Sequence, residues 1–262
     1  MIPVALTIAG SDPSGGAGIQ ADLKTFHEFG VYGEAVVTLI TVQNTAGVSR
    51  VEVLDPDLVA AQIEAVLADI PPAAAKTGAF GNSAVVRAVA RAAESFAFPL
   101  VVDPVMIGKY GARLMAEEAV QTVLTGLAPM AFLLTPNIPE AEVLTGLEIR
   151  DLDGMKRAAD RLAALGARNV LIKGGHMLGR AVDVLRTANG FEEFAADRID
   201  TPHTHGTGCT YSAAIAAELA KGSPLPEAVR RAKEFITEAI RTNPGLGHGS
   251  GPVNHHALSK RG

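Results

Sequence analysis

The chain has 262 residues, of which 48% are hydrophobic and 19% are charged, a balance typical of globular proteins. The net charge of −5 argues against a nucleic-acid-binding protein, and the one cysteine excludes an internal disulfide and a multi-cysteine zinc site. No apolar stretch is long enough to span a membrane, and the first residues lack the pattern of a signal peptide, so we expect a cytoplasmic protein.

Short apolar runs alternate with amphipathic stretches along the chain. In chain order, the patterns predict a strand over 4–9, a helix over 17–29, a strand over 35–43, a helix over 56–67, a strand over 73–77, a helix over 84–94, strands over 100–103 and 132–134, helices over 140–144 and 155–165, a strand over 170–173, two hairpin strands over 182–187 and 191–196, and helices over 210–220 and 225–241. This alternation predicts an α/β fold with a mostly parallel sheet, helices on both faces and an antiparallel hairpin at one edge. We expect residues 1–262 to form a single domain, with an irregular tail from Asn243.

The segment His205-Gly206-Thr207-Gly208-Cys209-Thr210 precedes a helix of small residues. Two glycines around a hydroxyl residue let the backbone turn tightly and approach a ligand closely. The N-terminus of the following helix would aim N–H groups and its positive dipole end at the same place, which suits a phosphoryl group. A glycine-rich turn before a packed helix is the alternative. The histidines of the chain follow no zinc-ligand spacing, so we do not expect them to bind a catalytic metal.

Two polar segments follow the first two predicted strands, where ligands of open α/β sheets bind. The loop 10–18 is rich in glycine and serine and can carry N–H groups to a ligand, and Asp22 follows it on a helix. Alternatively, the loop is a flexible turn and Asp22 is a solvated charge. Gln43 ends the second strand, and its amide offers both a donor and an acceptor, which suits the edge of an aminopyrimidine or a pyridine. A hydrogen bond within the loop is the alternative.

Charged side chains follow three later strands. Asp103 could help to hold a metal–phosphate group, or it could be a turn residue. Asn137 and Glu140 could reach Mg²⁺ through water, and the same pair has the spacing of a helix capping box. Lys173, beside two glycines, could reach phosphate oxygens as a mobile charge, or it could be an exposed loop lysine.

Taken together, these segments resemble the ribokinase-like superfamily and, within it, the hydroxymethylpyrimidine/phosphomethylpyrimidine kinase family of thiamin biosynthesis. The resemblance covers nearly the whole chain in the family's order, and the segments that carry it are 8–22, 41–45, Lys76-Thr77-Gly78, 102–106, 135–141, Leu171-Ile172-Lys173-Gly174-Gly175-His176 and 205–210. It implies a three-layer αβα sandwich and a homodimer. One departure from the family pattern is Ala79-Phe80, where a methionine often contacts the substrate ring.

The resemblance also implies a role for each matching residue. The substrate pyrimidine would bind near Gly10, Ala17, Asp22, Val42, Gln43 and Val105. ATP would bind near Lys173, Asp103, Asn137 and Thr207, and Mg²⁺ near Asp103 and Glu140. Gly206, Thr207, Gly208 and Lys173 would stabilise the moving phosphoryl group, and Cys209, with its pKa lowered by the helix N-terminus, would accept the hydroxyl proton.

The expected activity is ATP-dependent phosphorylation of 4-amino-5-hydroxymethyl-2-methylpyrimidine, and of its monophosphate to the diphosphate. A pyridoxal or pyridoxine kinase is the alternative, because its substrate ring also bears a hydroxymethyl group. A vitamer-binding protein without activity is a third possibility, and the presence of Cys209, Lys173 and Glu140 together argues against it.

Overall fold

The computed structural model describes residues 2–108, 111, 114–175 and 179–259. The motif residue His176 lies outside the described residues. Strands and helices alternate along the chain, as predicted. The strands are β1 (Val4–Ser11), β2 (Tyr32–Asn44), β3 (Gly47–Val53), β4 (Ala74–Thr77), β5 (Leu100–Val102), β6 (Leu133–Leu134), β7 (Val170–Ile172), β8 (Ala181–Thr187) and β9 (Gly190–Ala196).

The helices are α1 (Gly18–Glu28), α2 (Pro56–Asp69), α3 (Ser83–Ala93), α4 (Glu117–Thr122), α5 (Ile138–Thr145), α6 (Leu152–Ala164), α7 (Thr207–Ala220) and α8 (Leu225–Arg241). A π-helical turn, Val123–Leu127, and a 3₁₀ turn, Ala128–Met130, continue α4. No helix among the described residues combines the length and the apolar character that crossing a bilayer requires.

The strands form one sheet in the order β3-β2-β1-β4-β5-β6-β7-β8-β9. Each pair of neighbours among the six strands from β2 to β7 in this order is parallel, so tight two-residue turns cannot connect them. The predicted hairpin β8–β9 lies at one edge. Strand β3 pairs antiparallel with β2 at the other edge, and the sequence analysis missed this strand.

The sheet separates two hydrophobic clusters, because successive side chains of a strand point to opposite faces. Leu6 and Ile8 of β1 pack on the face that is covered by α2 to α6. Ala5 of β1 packs on the other face, with Phe26 of α1 and the buried side of α7 and α8. The molecule is therefore a three-layer αβα sandwich, as expected.

Candidate active site

A cavity of about 230 Å³ lies at the carboxyl ends of the parallel strands. Ligands of open α/β sheets bind at this edge because the loops after the strands converge there. Most residues that the sequence analysis assigned to the site line this cavity: Gly10, Ala17, Gln43, Asp103, Val105, Asn137, Glu140, Lys173, Gly206, Thr207, Gly208 and Cys209.

The segment 205–210 forms a tight turn into α7. Gly206 has a φ of 77°, and a Cβ atom on it would lie 1.7 Å from the carbonyl oxygen of Gly16, so only glycine fits. The helix begins at the next residue, Thr207, whose hydroxyl donates to the carbonyl of Thr204 at 2.8 Å. Because the first N–H groups of a helix lack partners within it, this turn can hold an anion.

An ion pair faces this turn. Lys173 Nζ lies 2.8 Å from Asp103 Oδ1, and the two side chains are only 12% and 1% exposed. A Cβ atom on Gly208 would lie 3.4 Å from Lys173 Nζ, which places the cation against the start of α7. Burial alone would lower the pKa of Lys173, but the carboxylates of Asp103 and Glu140 raise it above its ordinary value. Lys173 is therefore a buried cation that its ion pair with Asp103 holds in place, and the alternative of an exposed loop lysine is wrong.

Glu140 lies in the first turn of α5 and also faces the cavity. Its N–H donates to Asn137 Oδ1 at 2.9 Å, and its Oε2 accepts from the N–H of Asn137 at 2.8 Å. The capping box is thus present, and it fixes the Glu140 side chain at the edge of the cavity. Burial raises the pKa of Glu140 to about 7; Lys173 opposes this shift and the nearby Asp103 adds to it.

Cys209 lies in the first turn of α7 and lines the cavity. The expectation that the helix N-terminus lowers its pKa is wrong. Burial raises the pKa of the thiol to about 11, and the charge of Lys76 offsets only part of that effect. The loss of hydration around a thiolate here outweighs the helix dipole. In this structure Cys209 is a neutral thiol at neutral pH.

Asp22 lies outside the cavity lining and is fully buried. Its Oδ2 accepts from the hydroxyl of Thr7 at 2.6 Å and lies 3.0 Å from Nζ of Lys76, which is also fully buried. Burial alone would lower the pKa of Lys76, but Asp22 raises it, so the ammonium stays charged. Asp22 is therefore not the solvated charge of the alternative interpretation, and its contact with the substrate stays a prediction.

Val42 also lies outside the cavity lining. Its side chain is 55% exposed, whereas its neighbours Thr41 and Gln43 line the cavity. Adjacent residues of a strand point to opposite faces, so Val42 cannot share the cavity face with Gln43. The Val42 side chain therefore does not face the cavity, and the contact of this residue with the substrate stays a prediction.

The sequence analysis gave no role to Asp12 or His205, although both line the cavity. Asp12 Oδ2 lies 2.8 Å from His205 Nε2 and accepts from the N–H of Ala17 at 2.9 Å. Its other oxygen accepts from the N–H and the hydroxyl of Ser14. His205 Nε2 also lies 3.1 Å from one end of the Gln43 amide. Both residues stood within the segments singled out, but nothing in the sequence indicated that a loop and a helix start 193 positions apart would meet.

The two residues at the departure from the family pattern have different positions. Ala79 lines the cavity, and its carbonyl accepts from the hydroxyl of Thr38 at 2.6 Å. Phe80 is fully buried in the hydrophobic cluster beneath the sheet edge. Phe80 therefore does not fill the space that a methionine at position 79 would occupy.

A second cavity, of about 490 Å³, adjoins the first. The two share Asn137, Lys173, Thr204, Thr207 and Gly208. Beyond these residues, the second cavity extends between the hairpin β8–β9 and α8. Two ligands bound side by side would therefore meet at the turn of residues 205–210, called the cradle, and at the fixed cation Lys173.

Comparisons with known proteins identify the family of this chain. The sequence profile of phosphomethylpyrimidine kinases matches residues 12–254. This chain belongs to the phosphomethylpyrimidine kinase family. The hydroxymethylpyrimidine/phosphomethylpyrimidine kinase of Bacillus subtilis is 46% identical over 98% of this chain and 96% of its own length. The thiamine biosynthesis bifunctional protein ThiED of Geobacter sulfurreducens is 52% identical over 95% of this chain, which spans about half (51%) of that protein.

Membership of the phosphomethylpyrimidine kinase family makes the chain a phosphotransferase, as the sequence analysis expected. A solved ADP complex of Bacillus subtilis pyridoxal kinase has the same fold, with a TM-score of 0.91 and 42% sequence identity over 98% of this chain and 99% of that one. The family therefore includes close structural relatives named for a pyrimidine and for a pyridine substrate.

Proposed function

We propose that this kinase transfers the terminal phosphoryl group of ATP to the hydroxymethyl group of 4-amino-5-hydroxymethyl-2-methylpyrimidine, and then phosphorylates the monophosphate to the diphosphate. The observation that carries the proposal is the junction of two cavities at one cradle and one fixed cation. A phosphoryl transfer needs a donor and an acceptor that meet at such a point.

The smaller cavity is the proposed acceptor site. Its volume of about 230 Å³ suits a single substituted ring, and Gln43 presents an amide to it. Ala17 and Val105 line it with apolar surface, and Gly10 and Gly18 let the backbone come close to a ligand.

The larger cavity is the proposed ATP site. The related pyridoxal kinase was solved with ADP, and the cavity shares Thr207 and Lys173 with the acceptor site. Bound there, the nucleotide would place its phosphates at the start of α7. Asn137 lies at the same junction and would contact the nucleotide.

Asp103 and Glu140 are the proposed residues for Mg²⁺. Two carboxylates face one cavity, and their mutual repulsion contributes to the raised pKa of Glu140, so a cation fits between them electrostatically. Within the described part of the chain no group of three or more possible metal-binding side chains occurs. This fits an ion that keeps water and takes its other ligands from phosphate. When bound, Mg²⁺ would neutralise charge on the transferring group.

The remaining steps follow from residues of the chain. N–H groups at the start of α7, from Gly206 to Cys209, would stabilise charge on the moving phosphoryl group. Lys173 would hold the same oxygens with its fixed charge. Cys209 would accept the proton of the substrate hydroxyl as a thiolate, a form that its raised pKa makes rare and that the buried ammonium of Lys76 stabilises.

Pyridoxal or pyridoxine phosphorylation is the second candidate. It is favoured by Ala79, which lines the cavity and leaves room beside the ring because Phe80 points into the core. We place it second because Gln43 offers the donor and acceptor that an aminopyrimidine edge requires.

Product analysis with three substrates tests the proposal. The purified kinase is given ATP and Mg²⁺ with hydroxymethylpyrimidine, its monophosphate or pyridoxine, and the products are identified by mass. We expect efficient phosphorylation of both pyrimidines and weaker phosphorylation of pyridoxine. A higher kcat/KM for pyridoxine than for either pyrimidine would reverse the order of the two candidates.

We further propose that residues 1–262 act as one kinase domain, that two copies form a homodimer, and that the enzyme works in the cytoplasm, where ATP is available and Cys209 stays reduced. The single sheet that both hydrophobic clusters share supports the first point. Light scattering at enzyme concentrations used in assays tests the dimer.

A further inference from the structure

The orientation of the Gln43 amide follows from its neighbours. One end of the amide, assigned as Nε2, lies 3.1 Å from His205 Nε2, and the other end, assigned as Oε1, lies 3.2 Å from Thr41 Oγ1. The oxygen and nitrogen of a glutamine amide are distinguished only by the hydrogen bonds they make. The donor and acceptor atoms of His205 and Thr41 therefore decide which end of the amide is the oxygen.

The first contact requires an acceptor at the His205 end. His205 Nε2 lies 2.8 Å from Asp12 Oδ2. Burial would raise the pKa of Asp12, but hydrogen bonds from His205 and Ser14 bring it below its ordinary value, so Asp12 is a carboxylate and can only accept. The proton must then lie on His205 Nε2, whichever charge the ring carries. This single N–H is directed at Asp12, so an amide oxygen accepts from it only by sharing it with Asp12, whereas an amide NH₂ group against it would be repelled.

The second contact favours a donor at the Thr41 end. Thr41 Oγ1 lies 3.0 Å from the carbonyl oxygen of Ser11, which can only accept. The hydroxyl has one proton, so with an amide oxygen at this end it can satisfy either Ser11 or Gln43 but not both. With the amide nitrogen at this end, Thr41 donates to Ser11 and accepts from Gln43 at the same time. Both ends of Gln43 therefore favour the reverse of the assigned orientation.

We propose that Asp12, His205 and Thr41 are positioning residues that hold the Gln43 amide in this reversed orientation, and that the orientation selects a ring edge with an amine beside an unprotonated ring nitrogen. His205 occupies one lone pair of the amide oxygen, and Thr41 occupies one N–H. One lone pair and one N–H then remain for the substrate. The exocyclic amine donates to the oxygen, and the ring nitrogen accepts from the N–H.

The 4-oxo analogue of the pyrimidine has the opposite pattern. A carbonyl replaces the amine, and the neighbouring ring nitrogen carries a hydrogen. The hydroxymethyl group must face the cradle, which fixes the ring one way round, so the analogue fits only an amide turned the other way. A locked amide rejects this analogue, and a free amide tolerates it.

The inference rests on the proposed function, and the test compares kcat/KM for the amino substrate with kcat/KM for its 4-oxo analogue. In wild type we expect a preference for the amino substrate of roughly tenfold or more, because each mispaired buried group weakens binding by about that factor. Thr41→Val removes the acceptor at the nitrogen end and should reduce the preference by about tenfold, mainly through KM. Thr41→Ser keeps the hydroxyl and should restore it.

His205→Leu removes the hydrogen-bond donor at the other end of the amide and should reduce the preference for the amino substrate in the same way. His203 lies two residues away and does not line the cavity, so His203→Leu is the matched control and should keep the wild-type preference. Should the Thr41 and His205 variants not fold, competition binding of the two ligands to wild type gives the same preference without a substitution.

The outcomes separate the inference from the proposed function. A wild type that does not phosphorylate the aminopyrimidine overturns both. An active wild type that binds the two ligands equally, or whose preference is unchanged by Thr41→Val and His205→Leu, overturns the inference alone. A loss of activity that is equal for both substrates shows a merely structural role for these residues and also overturns it.

Discussion

The pKa of the Cys209 thiol is shifted in the opposite direction from the one that its position suggests. It sits at a helix N-terminus, yet its pKa is raised to about 11 because burial costs the thiolate its hydration. At pH 7 only about one thiol in ten thousand is ionised at such a pKa. If the thiolate accepts the substrate proton, turnover must rise with pH, since the thiolate fraction grows as pH approaches 11.

We expect Cys209→Ala to lower kcat by roughly two to four decades, the range for a positioned general base, while ATP binding stays near wild type. Cys209→Asp should recover part of the activity, since a carboxylate is a base at neutral pH. Wild-type kcat should rise between about pH 7 and pH 9, and that rise should be absent in Cys209→Asp. Near-normal turnover of Cys209→Ala would remove the thiol from the mechanism.

Ala79 controls the space beside the ring. Phe80 is buried in the core, so no neighbour in the sequence fills the gap that a methionine at 79 would occupy. A misfit of one methylene in an apolar pocket changes binding by only about 1–3 kcal/mol, so we expect measurable side activity on pyridoxine or pyridoxal.

Ala79→Met should cut this pyridine activity and spare the pyrimidine reaction, because methionine is long and adapts to irregular gaps. The measurement is the ratio of kcat/KM values for the two rings. The second phosphorylation should persist in both proteins, since it depends on the cradle and Lys173. An unchanged ratio would mean that another residue already fills the space.

The sequence predicts which residues lie near the site better than it predicts where their side chains point. Gln43 and Glu140 face the cavity as expected, but Val42 points away because it alternates with Gln43 along β2. Asp22 lies on a helix, α1, as the sequence predicted, but its side chain points into the protein and pairs with the buried Lys76. Residue types and spacing do not specify these directions without the packing of the neighbouring elements.

The capping box at the start of α5 contributes both to the stability of the protein and to the lining of the site. Asn137 caps the helix and also lies at the junction of the two cavities. Asn137→Ala should lower the free energy of unfolding by about 1 kcal/mol through the lost cap and should also raise KM for ATP. Denaturant titration and steady-state kinetics measure the two effects.

Asn82 provides the matched control, because it caps α3 in the same way, accepting from Val85 N–H at 3.0 Å, and does not line either cavity. Asn82→Ala should lower stability by a similar amount and leave KM for ATP unchanged. An equal rise of KM in both variants would show that Asn137 acts on the nucleotide only through stability.

Most elements follow from local patterns, and the missed ones show where such patterns weaken. The predicted helix over 225–241 matches α8 because its polar and apolar faces are distinct and glutamate–arginine pairs line its exposed side. Strand β3 has mainly half-buried or exposed residues at a sheet edge. It therefore lacks the apolar run that marked the central strands, and only its pairing with β2 establishes it.

Across the whole molecule, the site is assembled by topology. Strands that are far apart in the chain end at the same edge of one parallel sheet, so Lys173 meets Asp103 70 positions away and His205 meets Gln43 162 positions away. The α/β alternation predicts that strand ends converge. It does not predict which two side chains share a hydrogen bond, because that depends on the twist of the sheet and the path of each loop.

The irregular tail from Asn243 is also part of this assembly. The N–H of Val253 donates to the carbonyl of His205 at 3.3 Å, and the N–H of Asn254 donates to the carbonyl of Ala239 at 2.9 Å. His255 is buried, and its Nε2 lies 3.2 Å from the hydroxyl of Thr210, the residue after Cys209. The tail thus packs directly behind the cradle.

His255 makes the stability of the molecule depend on pH. Burial lowers its pKa to about 4, helped by the nearby charges of Lys24, His256 and His205, whereas in the unfolded chain the ring titrates near 6.5. Above about pH 6.5 the ring is neutral in both states, so it does not change the free energy of unfolding. As pH falls from 6.5 to 4, only the unfolded chain takes up the proton, so the free energy of unfolding falls by up to about 3 kcal/mol.

His255→Gln should remove this part of the pH dependence, measured as the free energy of unfolding at about pH 7.5 and pH 4.5. His248 is exposed and is not among the charges that act on His255, so His248→Gln should keep the wild-type slope. Equal slopes in wild type and His255→Gln would show that other groups carry the acid sensitivity.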